Sequence, residues 1–396
     1  MDTLEFCIFW KAIGQKVFLG SSGDWLLVLV VLVAIRKKHS EMKEINLLKE
    51  IVNRTNGFGC TTFALKDDNQ IVFGRNFDFM IDYGHIIVNK RNVSKTALVP
   101  PSEKQLKWTS KVGSITFNQA GREFPYGGIN ESGLVIEQLW FDSTQYPKSD
   151  SRYGISVLQW IQYQLDVSEN INDVIKSDLT VRIIDDSGAA LHFFLTDKNG
   201  DSACIEFIEG EMKVRKGKTL NVSVLTNNSY SKSMEHLDNP KKEENNQNIF
   251  TGSSLQRFEQ AAKLVNQYSQ ANSLDIIEYS FKILDKVKQL NFTQWSIVYD
   301  ISNLEIYFKT KSNSKVLKIQ MKSLDFSSTT PCMILDLATS KNSVNFEKYS
   351  IDKNFDLINQ VFDSLDMLKD VPMEMRAYSA NYPNTTIFND EKEKSK

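Results

Sequence analysis

The sequence contains few of the residues on which many binding proteins and metal sites depend. Its 396 residues include four cysteines and four histidines, and the formal net charge is only −2. So weak a charge gives no electrostatic reason to expect a nucleic-acid partner. The cysteines lie far apart without a Cys-x-x-Cys pair, so neither a structural zinc site nor a disulfide framework is indicated. With 41% hydrophobic residues, the chain can nevertheless bury a large core, as one large domain or two.

The scarcity of histidine bears on one class of enzyme in particular. A papain-like hydrolase needs a histidine as the base for its cysteine, and only His39, His85, His192 and His236 are available. His192 lies in an Ala-Leu-His-Phe-Phe run that is typical of a β-strand. We therefore interpret His192 as a core or surface side chain rather than a catalytic base.

Long apolar runs are also rare, and the most prominent one lies in the first 59 residues. Residues 25–35 form an unbroken apolar run of eleven, followed by Arg36-Lys37-Lys38. A membrane-spanning helix needs about 20 such residues. A signal peptide carries its positive charge before the apolar core rather than after it. We predict that residues 1–59 are a leader or pro-segment. Export, membrane association through residues 25–35, a leader without a membrane role, and the true start of the chain all stay open.

The region after this leader predicts a hairpin that gathers three reactive side chains. Two short apolar runs flank Asp67-Asp68-Asn69, which has the composition of a hairpin turn. Folding about this turn places the start of the first strand, at Cys60, opposite Arg75 to Phe77, with Asp78 just beyond. A cation beside a sulfur stabilises the thiolate, which is the nucleophilic form of cysteine. If the chain is cut before Cys60, the new α-amino group, with a pKa of roughly 8, can act as a base for its own thiol.

The same residues resemble a known family of enzymes. Cys60-Thr61 followed by Gly74-Arg75-Asn76-Phe77-Asp78 is similar to the N-terminal-nucleophile (Ntn) hydrolases of the choloylglycine hydrolase and penicillin V acylase family. Those enzymes begin with Cys-Thr and carry Gly-Arg-Asn-x-Asp at this distance. Four further segments keep the family order up to about residue 325, namely residues 128–134, 225–228, 254–258 and 298–304. Five matches in order are much stronger than any one of them.

The resemblance implies a role for five residues. Cys60 would be the nucleophile, Asp78 would hold its α-amino group, and Arg75 would lie beside the sulfur. Asn227 would donate its side-chain amide to the oxyanion, a contact whose loss typically costs roughly 100- to 1000-fold in rate. Arg257 would orient the nucleophile or stabilise the transition state. The alternatives from the residues alone are a buried free cysteine, a surface ion pair, the end of a strand and an arginine at a helix start.

Trp140 is where the sequence departs from the family pattern. Eight positions after Ser132, bile salt hydrolases carry Asn and penicillin V acylases carry Tyr, whereas this chain has Trp140. A backbone N–H at this position can still serve an oxyanion hole, but the Asn side-chain contact of bile salt hydrolases is lost. Phe77, Phe79 and Phe141 could complete an apolar surround for an acyl group together with Trp140. The alternative is that these aromatic side chains are simply core.

The activity that the resemblance implies is hydrolysis of a linear, non-peptide amide. The substrate would be a small N-acyl compound, attacked by Cys60 to give a thioester that water then hydrolyses. No metal or organic cofactor is implied, and a homo-oligomer is expected because related enzymes are often tetramers. Alternatives are an acid-ceramidase-like amidase, an acyltransferase, or a non-catalytic member that keeps its leader. The natural acyl and amine groups cannot be identified from the sequence.

Strand and helix patterns predict an α+β fold. Helical periodicity is found from Val157 to Leu165, at residues 171–175, at 257–268, and in a helix after Ser273 as N-cap. Strands are expected in residues 60–140, 180–225 and 295–321, with Gly127-Gly128 in a turn and Asn199-Gly200 in a hairpin. Residues 239–246 are expected to form a polar loop and 387–396 a polar tail, leaving 60–386 as the catalytic domain. Two sheets covered by helices follow from this order. The resemblance sharpens this to a four-layer αββα Ntn-hydrolase sandwich of two antiparallel sheets between helical layers.

Overall fold

The computed structural model describes residues 59–185, 187–239, 253–268, 274–340, 343–366 and 368–389. The predicted leader, including its apolar run at 25–35, lies outside the described residues except for Gly59, as does most of the polar loop predicted at 239–246. Within these ranges, no helix has both the length and the apolar character that crossing a membrane requires.

The predicted hairpin is confirmed and lies in the middle of a six-stranded antiparallel sheet. Strand β1 (Thr61–Lys66) pairs with β2 (Ile71–Asp78), so that Thr62 is opposite Arg75. The Asp67 side chain closes the turn by accepting hydrogen bonds from the backbone N–H groups of Asn69 and Gln70, at 2.8 Å each. The sheet order is β14-β1-β2-β15-β16-β17, with β14 at Val224–Leu225, β15 at Thr293–Asp300, β16 at Glu305–Thr310 and β17 at Leu317–Gln320.

A second antiparallel sheet has nine strands, in the order β13-β12-β11-β8-β7-β6-β3-β18-β19. These strands are β3 (His85–Asn89), β6 (Ser114–Asn118), β7 (Pro125–Asn130), β8 (Val135–Trp140), β11 (Leu191–Thr196), β12 (Ser202–Ile208), β13 (Glu211–Lys216), β18 (Met333–Asp336) and β19 (Glu347–Lys348). The predicted hairpin at Asn199-Gly200 joins β11 to β12, and Gly200 has a φ of +77°. The prediction of a turn at Gly127-Gly128 was wrong, because both glycines lie inside β7.

The two sheets pack face to face through one apolar core. Phe73 on the first sheet meets Phe194 on the second, with ring centroids 5.6 Å apart, and Tyr299 meets Phe117 at 6.2 Å. All four side chains are buried. Alternation along each strand sends the other set of side chains outward, where helices cover them. The core therefore lies between the sheets, as in a sandwich.

Helices cover the outer faces of both sheets, which gives four αββα layers. Helix α1 (Val157–Val167) packs on β7 and β8, whereas α4 (Ser254–Gln267) and α5 (Ile276–Lys286) pack on β1, β2 and β15. The remaining helices of the described residues are α2 (Ile171–Ser177), α3 (Tyr230–Asp238), α6 (Ile351–Ser364) and α7 (Met373–Asn381), and short 3₁₀ turns occur at Gly217–Thr219, Met321–Ser323 and Tyr382–Thr385.

Two predictions about element ends need correction. The N-cap of α5 is Asp275, whose side chain accepts a hydrogen bond from the N–H of Ile277, and not Ser273, which lies outside the described residues. The predicted polar tail also begins in a strand, because β20 (Ile387–Phe388) pairs with β4 (Val93–Thr96), next to β5 (Lys107–Thr109). A separate parallel pair joins β9 (Tyr153–Ser156) and β10 (Val181–Ile184).

Candidate active site

Cys60 lies at the start of β1, next to a buried guanidinium. Its side chain is only 7% exposed, and Arg75 on the neighbouring strand is almost fully buried. The distance from Arg75 Nη2 to Cys60 Sγ is 3.7 Å. The guanidinium is therefore close enough to donate a hydrogen bond to the sulfur. The hairpin thus brings Cys60 and Arg75 together, as its turn predicts.

Arg75 also links the two sheets at the point where a pair of strands separates. The β7–β8 ladder ends at Gly127 and Glu137. Just beyond, Arg75 donates hydrogen bonds to the carbonyl oxygens of Tyr126 (3.0 Å) and Gln138 (3.2 Å). Arg75 forms a buried ion pair with Glu137, which in turn accepts a hydrogen bond from the Tyr299 hydroxyl at 2.6 Å. These contacts fix the guanidinium in place beside the sulfur of Cys60.

Asp78 is a buried carboxylate at the end of β2, beyond the residues that lie opposite the start of β1. One oxygen, Oδ1, accepts a hydrogen bond from the Thr293 hydroxyl at 2.5 Å, whereas Oδ2 has no hydrogen-bond partner among the described residues. Burial raises the pKa of Asp78 to about 7, although Arg257, the Thr293 hydroxyl, Arg75 and Lys288 all act to lower it. A buried, half-satisfied carboxylate calls for a further hydrogen-bond donor or cation.

Arg257 and Asn227 approach Cys60 from the side of β14 and α4. Arg257 Nη1 donates to the backbone oxygen of Cys60 (2.7 Å) and to the Thr61 hydroxyl (2.8 Å), and Nη2 donates to Asn227 Oδ1 (3.0 Å). Ser254, three residues before Arg257 on the same helix face, accepts a hydrogen bond from the Asn227 N–H at 2.9 Å. Burial lowers the pKa of Arg257, against the opposing charges of Asp78 and Cys60. The Ser-x-x-Arg spacing therefore places Arg257 at the Cys60 backbone and, through Ser254, holds the backbone of Asn227.

Trp140 contributes its backbone to the same place. Asn227 Nδ2 donates to the Trp140 carbonyl oxygen at 2.9 Å. The neighbouring N–H, of Phe141, donates to the carbonyl oxygen of Ala190, just before β11. Because successive N–H groups of a strand alternate in direction, the Trp140 N–H is directed away from β11, to the edge where the Trp140 carbonyl meets Asn227. The indole is 47% exposed and bonds Asp142 at 2.6 Å, which rules out the core alternative.

The aromatic residues predicted to surround an acyl group have different environments. Phe77 is buried and stacks on Phe79 at 5.6 Å, with the Arg75 guanidinium 5.1 Å from the Phe77 ring centre. Phe141 is buried as well, and stacks at 4.9 Å on His192, a fully buried residue of β11. Phe141 therefore belongs to the packing of the second sheet. Phe77 and Phe79 adjoin the Arg75 side of the site, and Trp140 lies at its solvent edge.

Three polar residues that the sequence did not single out complete the site: Glu137, Thr293 and Gln289. Glu137 is fully buried against Arg75, and its signal in the sequence is that it is the one acidic residue of a mostly apolar strand. Gln289 is fully buried and donates a hydrogen bond to the Gly59 carbonyl oxygen at 3.3 Å. Over the ranges described, no three His, Cys, Asp or Glu side chains are grouped so as to hold a metal ion.

The fold is shared with two solved enzymes. A penicillin V acylase from Agrobacterium tumefaciens is similar with a TM-score of 0.63 and 24% identity, covering 74% of this chain and 98% of that one. The conjugated bile acid hydrolase from Clostridium perfringens is similar with a TM-score of 0.56 and 19% identity, covering 74% and 96%. The four layers described above are therefore those of the Ntn-hydrolase sandwich.

Sequence similarity leads to the same group of enzymes. The chain is 25% identical over 264 residues to a penicillin V acylase from Pectobacterium atrosepticum, covering 56% of this chain and 69% of the relative. It is 24% identical over 305 residues to a bile salt hydrolase/transferase from Lactiplantibacillus plantarum, covering 66% and 92%. The family model of the linear amide C–N hydrolases, choloylglycine hydrolase family, matches residues 60–271, beginning at the candidate nucleophile. The chain belongs to this family and is a hydrolase of carbon–nitrogen bonds, other than peptide bonds, in linear amides.

Proposed function

We propose that the protein hydrolyses a small N-acyl amide with Cys60 as an N-terminal nucleophile, through a thioester intermediate. The observation that carries this proposal is the contact of 3.7 Å between Arg75 Nη2 and Cys60 Sγ, because it holds a buried guanidinium directly beside the sulfur that would attack the substrate. Arg257 holds the backbone of the same cysteine, and a half-satisfied carboxylate, Asp78, lies at the same end of the hairpin.

The first step is attack by sulfur on the acyl carbon. The chain is cut before Cys60, and the freed α-amine removes the thiol proton, directly or through a water molecule. Asp78 orients this amine, since its free Oδ2 can accept the N–H that Cys60 gains on cutting. Arg75 lies beside the sulfur and Arg257 fixes the Cys60 backbone, so both guanidinium groups favour the negative charge that develops there.

The tetrahedral oxyanion is stabilised by Asn227 and by the backbone of Trp140. Asn227 uses one Nδ2 hydrogen on the Trp140 carbonyl and has a second one for the substrate. The C–N bond then breaks, and the departing amine takes the proton from the Cys60 amine. Water attacks the thioester to release the acid and regenerate the thiol. These steps use no metal ion or organic cofactor.

The substrate that we propose has an aromatic or aliphatic acyl group. Trp140 replaces the Asn of bile salt hydrolases and is largely exposed at the edge of the site, where its apolar face offers contact area to an acyl chain. We expect a higher kcat/KM for phenoxyacetyl and medium-chain acyl amides than for glycocholate. A glycocholate value about ten-fold above the other two would contradict this assignment of Trp140.

The nucleophile is tested by substitution with a matched control. Cys60→Ala should abolish turnover, and Cys60→Ser should leave a slow or uncut enzyme, because a hydroxyl ionises far less readily than a thiol. Cys332→Ala, at another buried free cysteine, is the control and should keep its activity. Full activity in Cys60→Ala, together with electrophile labelling at Cys204 or Cys332, would move the site elsewhere.

Two alternatives to hydrolysis, a non-catalytic protein and an acyltransferase, are treated differently by the comparisons. The family membership makes the chain an enzyme, so the non-catalytic alternative loses its support. Transfer of the acyl group to an amine stays open, since one relative is named a hydrolase/transferase. Incubation of the processed protein with an amide substrate and a second amine would reveal transfer as a new amide in the mass spectrum. Release of free acid alone favours hydrolysis.

A further inference from the structure

Gly59, the residue before the proposed nucleophile, fills the space beside two proposed catalytic residues. A Cβ atom added to Gly59 would lie 1.9 Å from Asn227 Oδ1 and 2.9 Å from Arg257 Nη2. Real Cβ atoms do not approach other atoms so closely, and both side chains are held by hydrogen bonds to each other and to neighbouring backbone. Only glycine fits at position 59 without moving the site. In the uncut chain, Gly59 also stands where a substrate would approach Asn227.

The carbonyl group of Gly59 has its own hydrogen-bond donor. Gln289 Nε2 donates to the Gly59 oxygen at 3.3 Å from a position that is fully buried. Gln289 lies in the segment between α5 and β15, and its backbone N–H bonds the Thr293 hydroxyl at 2.9 Å, which in turn bonds Asp78. A buried amide that is anchored in this way and already donates to one peptide oxygen can keep donating to that oxygen as negative charge develops on it.

We propose that Gln289 stabilises the oxyanion of a self-cleavage reaction at the Gly59–Cys60 bond. This inference rests on the proposed function, which requires a free amine on Cys60. The Cys60 sulfur attacks the carbonyl carbon of Gly59, and the negative charge that forms on the Gly59 oxygen faces Gln289 Nε2. The C–N bond breaks, the thiol proton passes to the Cys60 nitrogen, and Gly59 becomes a thioester on Sγ. Water then hydrolyses the thioester, leaving a carboxylate on Gly59 and the free amine and thiol of Cys60.

Cleavage of the chain and hydrolysis of a substrate would thus use the same sulfur as nucleophile but different hydrogen-bond donors to stabilise the oxyanion. Asn227 faces Gly59 with its acceptor, Oδ1. The hydrogen bond that Asn227 Nδ2 donates goes to the Trp140 carbonyl and not to the Gly59 oxygen. Gln289 does donate to that oxygen. Self-cleavage should therefore depend on Gln289, and amide hydrolysis by the cut enzyme should depend on Asn227.

The test follows cleavage directly by intact-mass spectrometry. The full-length chain is made by cell-free synthesis, synthesis is stopped, and conversion to the chain that begins at Cys60 is timed. We expect Gln289→Leu to slow conversion roughly 100-fold, the usual effect of losing one oxyanion donor. Gln289→Glu is nearly isosteric and should also be slow, because an ionised carboxylate cannot donate. Gln294→Leu removes an equally buried glutamine that donates to the Phe79 carbonyl, and should stay within about three-fold of the unsubstituted chain.

The outcomes separate this inference from the proposed function. Equal conversion rates for Gln289→Leu and the unsubstituted chain would overturn the inference, as would an equal slowing by Gln294→Leu. Amide hydrolysis is measured separately and divided by the fraction of chains that begin at Cys60. On that scale the Gln294→Leu control should match the unsubstituted enzyme, whereas Asn227→Ala should fall by roughly 100- to 1000-fold. If fully cut, unsubstituted chains hydrolyse no amide, the proposed function fails while the cleavage result stands.

Discussion

We expect loss of the Asp78 carboxylate to change the stability of the uncut chain and of the chain cut before Cys60 in opposite directions. In the uncut chain, burial raises the pKa of Asp78 from 3.8 to about 7. Well below pH 4 the carboxyl is protonated in both the folded and the unfolded chain, and it then does not change the free energy of unfolding. Between about pH 4 and pH 7 the unfolded chain ionises this group while the folded chain keeps it protonated, so stability is lost across that range and the loss is complete above pH 7. A shift of about three pKa units corresponds to a loss of about 4 kcal/mol above pH 7.

Replacing Asp78 with asparagine should therefore stabilise the uncut chain. In a Cys60→Ala background, which we expect to stay uncut, Asp78→Asn removes the charge and keeps an oxygen for the Thr293 hydroxyl. The linkage relation gives a gain of about 2 kcal/mol at pH 5 and about 4 kcal/mol at pH 8. The gain should thus grow by about 2–3 kcal/mol between the two pH values.

The cut chain should show the reverse. In the proposed form that begins at Cys60, a protonated α-amino group would give the Asp78 carboxylate a counter-charge. Asp78→Asn then leaves a buried cation without its partner, which typically destabilises a protein by about 3–5 kcal/mol. The change of sign between the two forms reports the pairing of Asp78 with the Cys60 amine.

The assay is urea unfolding at pH 5 and pH 8, followed by tryptophan fluorescence. Asp68→Asn, at an exposed position of the hairpin turn, is the matched control and should change the free energy of unfolding by less than about 0.5 kcal/mol at both pH values. A gain from Asp78→Asn that is equal at pH 5 and pH 8 would refute the role of burial. An effect of the same sign in both forms would refute the pairing.

Three further substitutions test other contacts of the site. Glu137→Gln leaves Arg75 buried without its counter-charge and should lower the free energy of unfolding by about 3 kcal/mol in urea; a change below 1 kcal/mol would contradict the ion pair. Asn227→Ala in cut enzyme should lower kcat by roughly 100- to 1000-fold in a steady-state assay, and an unchanged kcat would remove Asn227 from the oxyanion hole. Gly59→Val should stop cleavage as measured by intact-mass spectrometry, because the valine side chain would collide with Asn227. Normal cleavage would show that Asn227 can move aside without loss of the reaction.

The part of the site that the sequence predicts is the part built by one hairpin. Asp67 and its neighbours form the turn, and the turn fixes the register that sets Thr62 opposite Arg75. Cys60, Arg75 and Asp78 are therefore placed by interactions within about 20 residues of sequence. The roles of Asn227 and Arg257 are implied by the family resemblance. The structure brings Arg257 to the backbone of Cys60 and Asn227 to the guanidinium of Arg257.

The partners from distant parts of the chain could not be predicted in this way. Thr293 bonds Asp78 across 215 residues of sequence, and Gln289 bonds Gly59 across 230. A threonine or a glutamine in a mixed segment carries no local signal of the atom that it will meet. The N-cap of α5 was missed for a different reason, since serine and aspartate are about equally good caps and stand only two residues apart, at 273 and 275.

The glycines of β7 show that a glycine pair can have a different structural reason from the one that the sequence suggests. Gly127-Gly128 has the composition of a turn, yet both residues lie within a strand where other atoms approach closely. A Cβ on Gly127 would lie 1.8 Å from Glu137 Oε2, and one on Gly128 would lie 2.3 Å from the Ile115 carbonyl oxygen. Glycine at 127 thus leaves the space in which Glu137 pairs with Arg75, and Arg75 in turn reaches the sulfur of Cys60. A glycine inside a strand often marks such a close approach. Here it connects the packing of the second sheet to the charge beside the nucleophile.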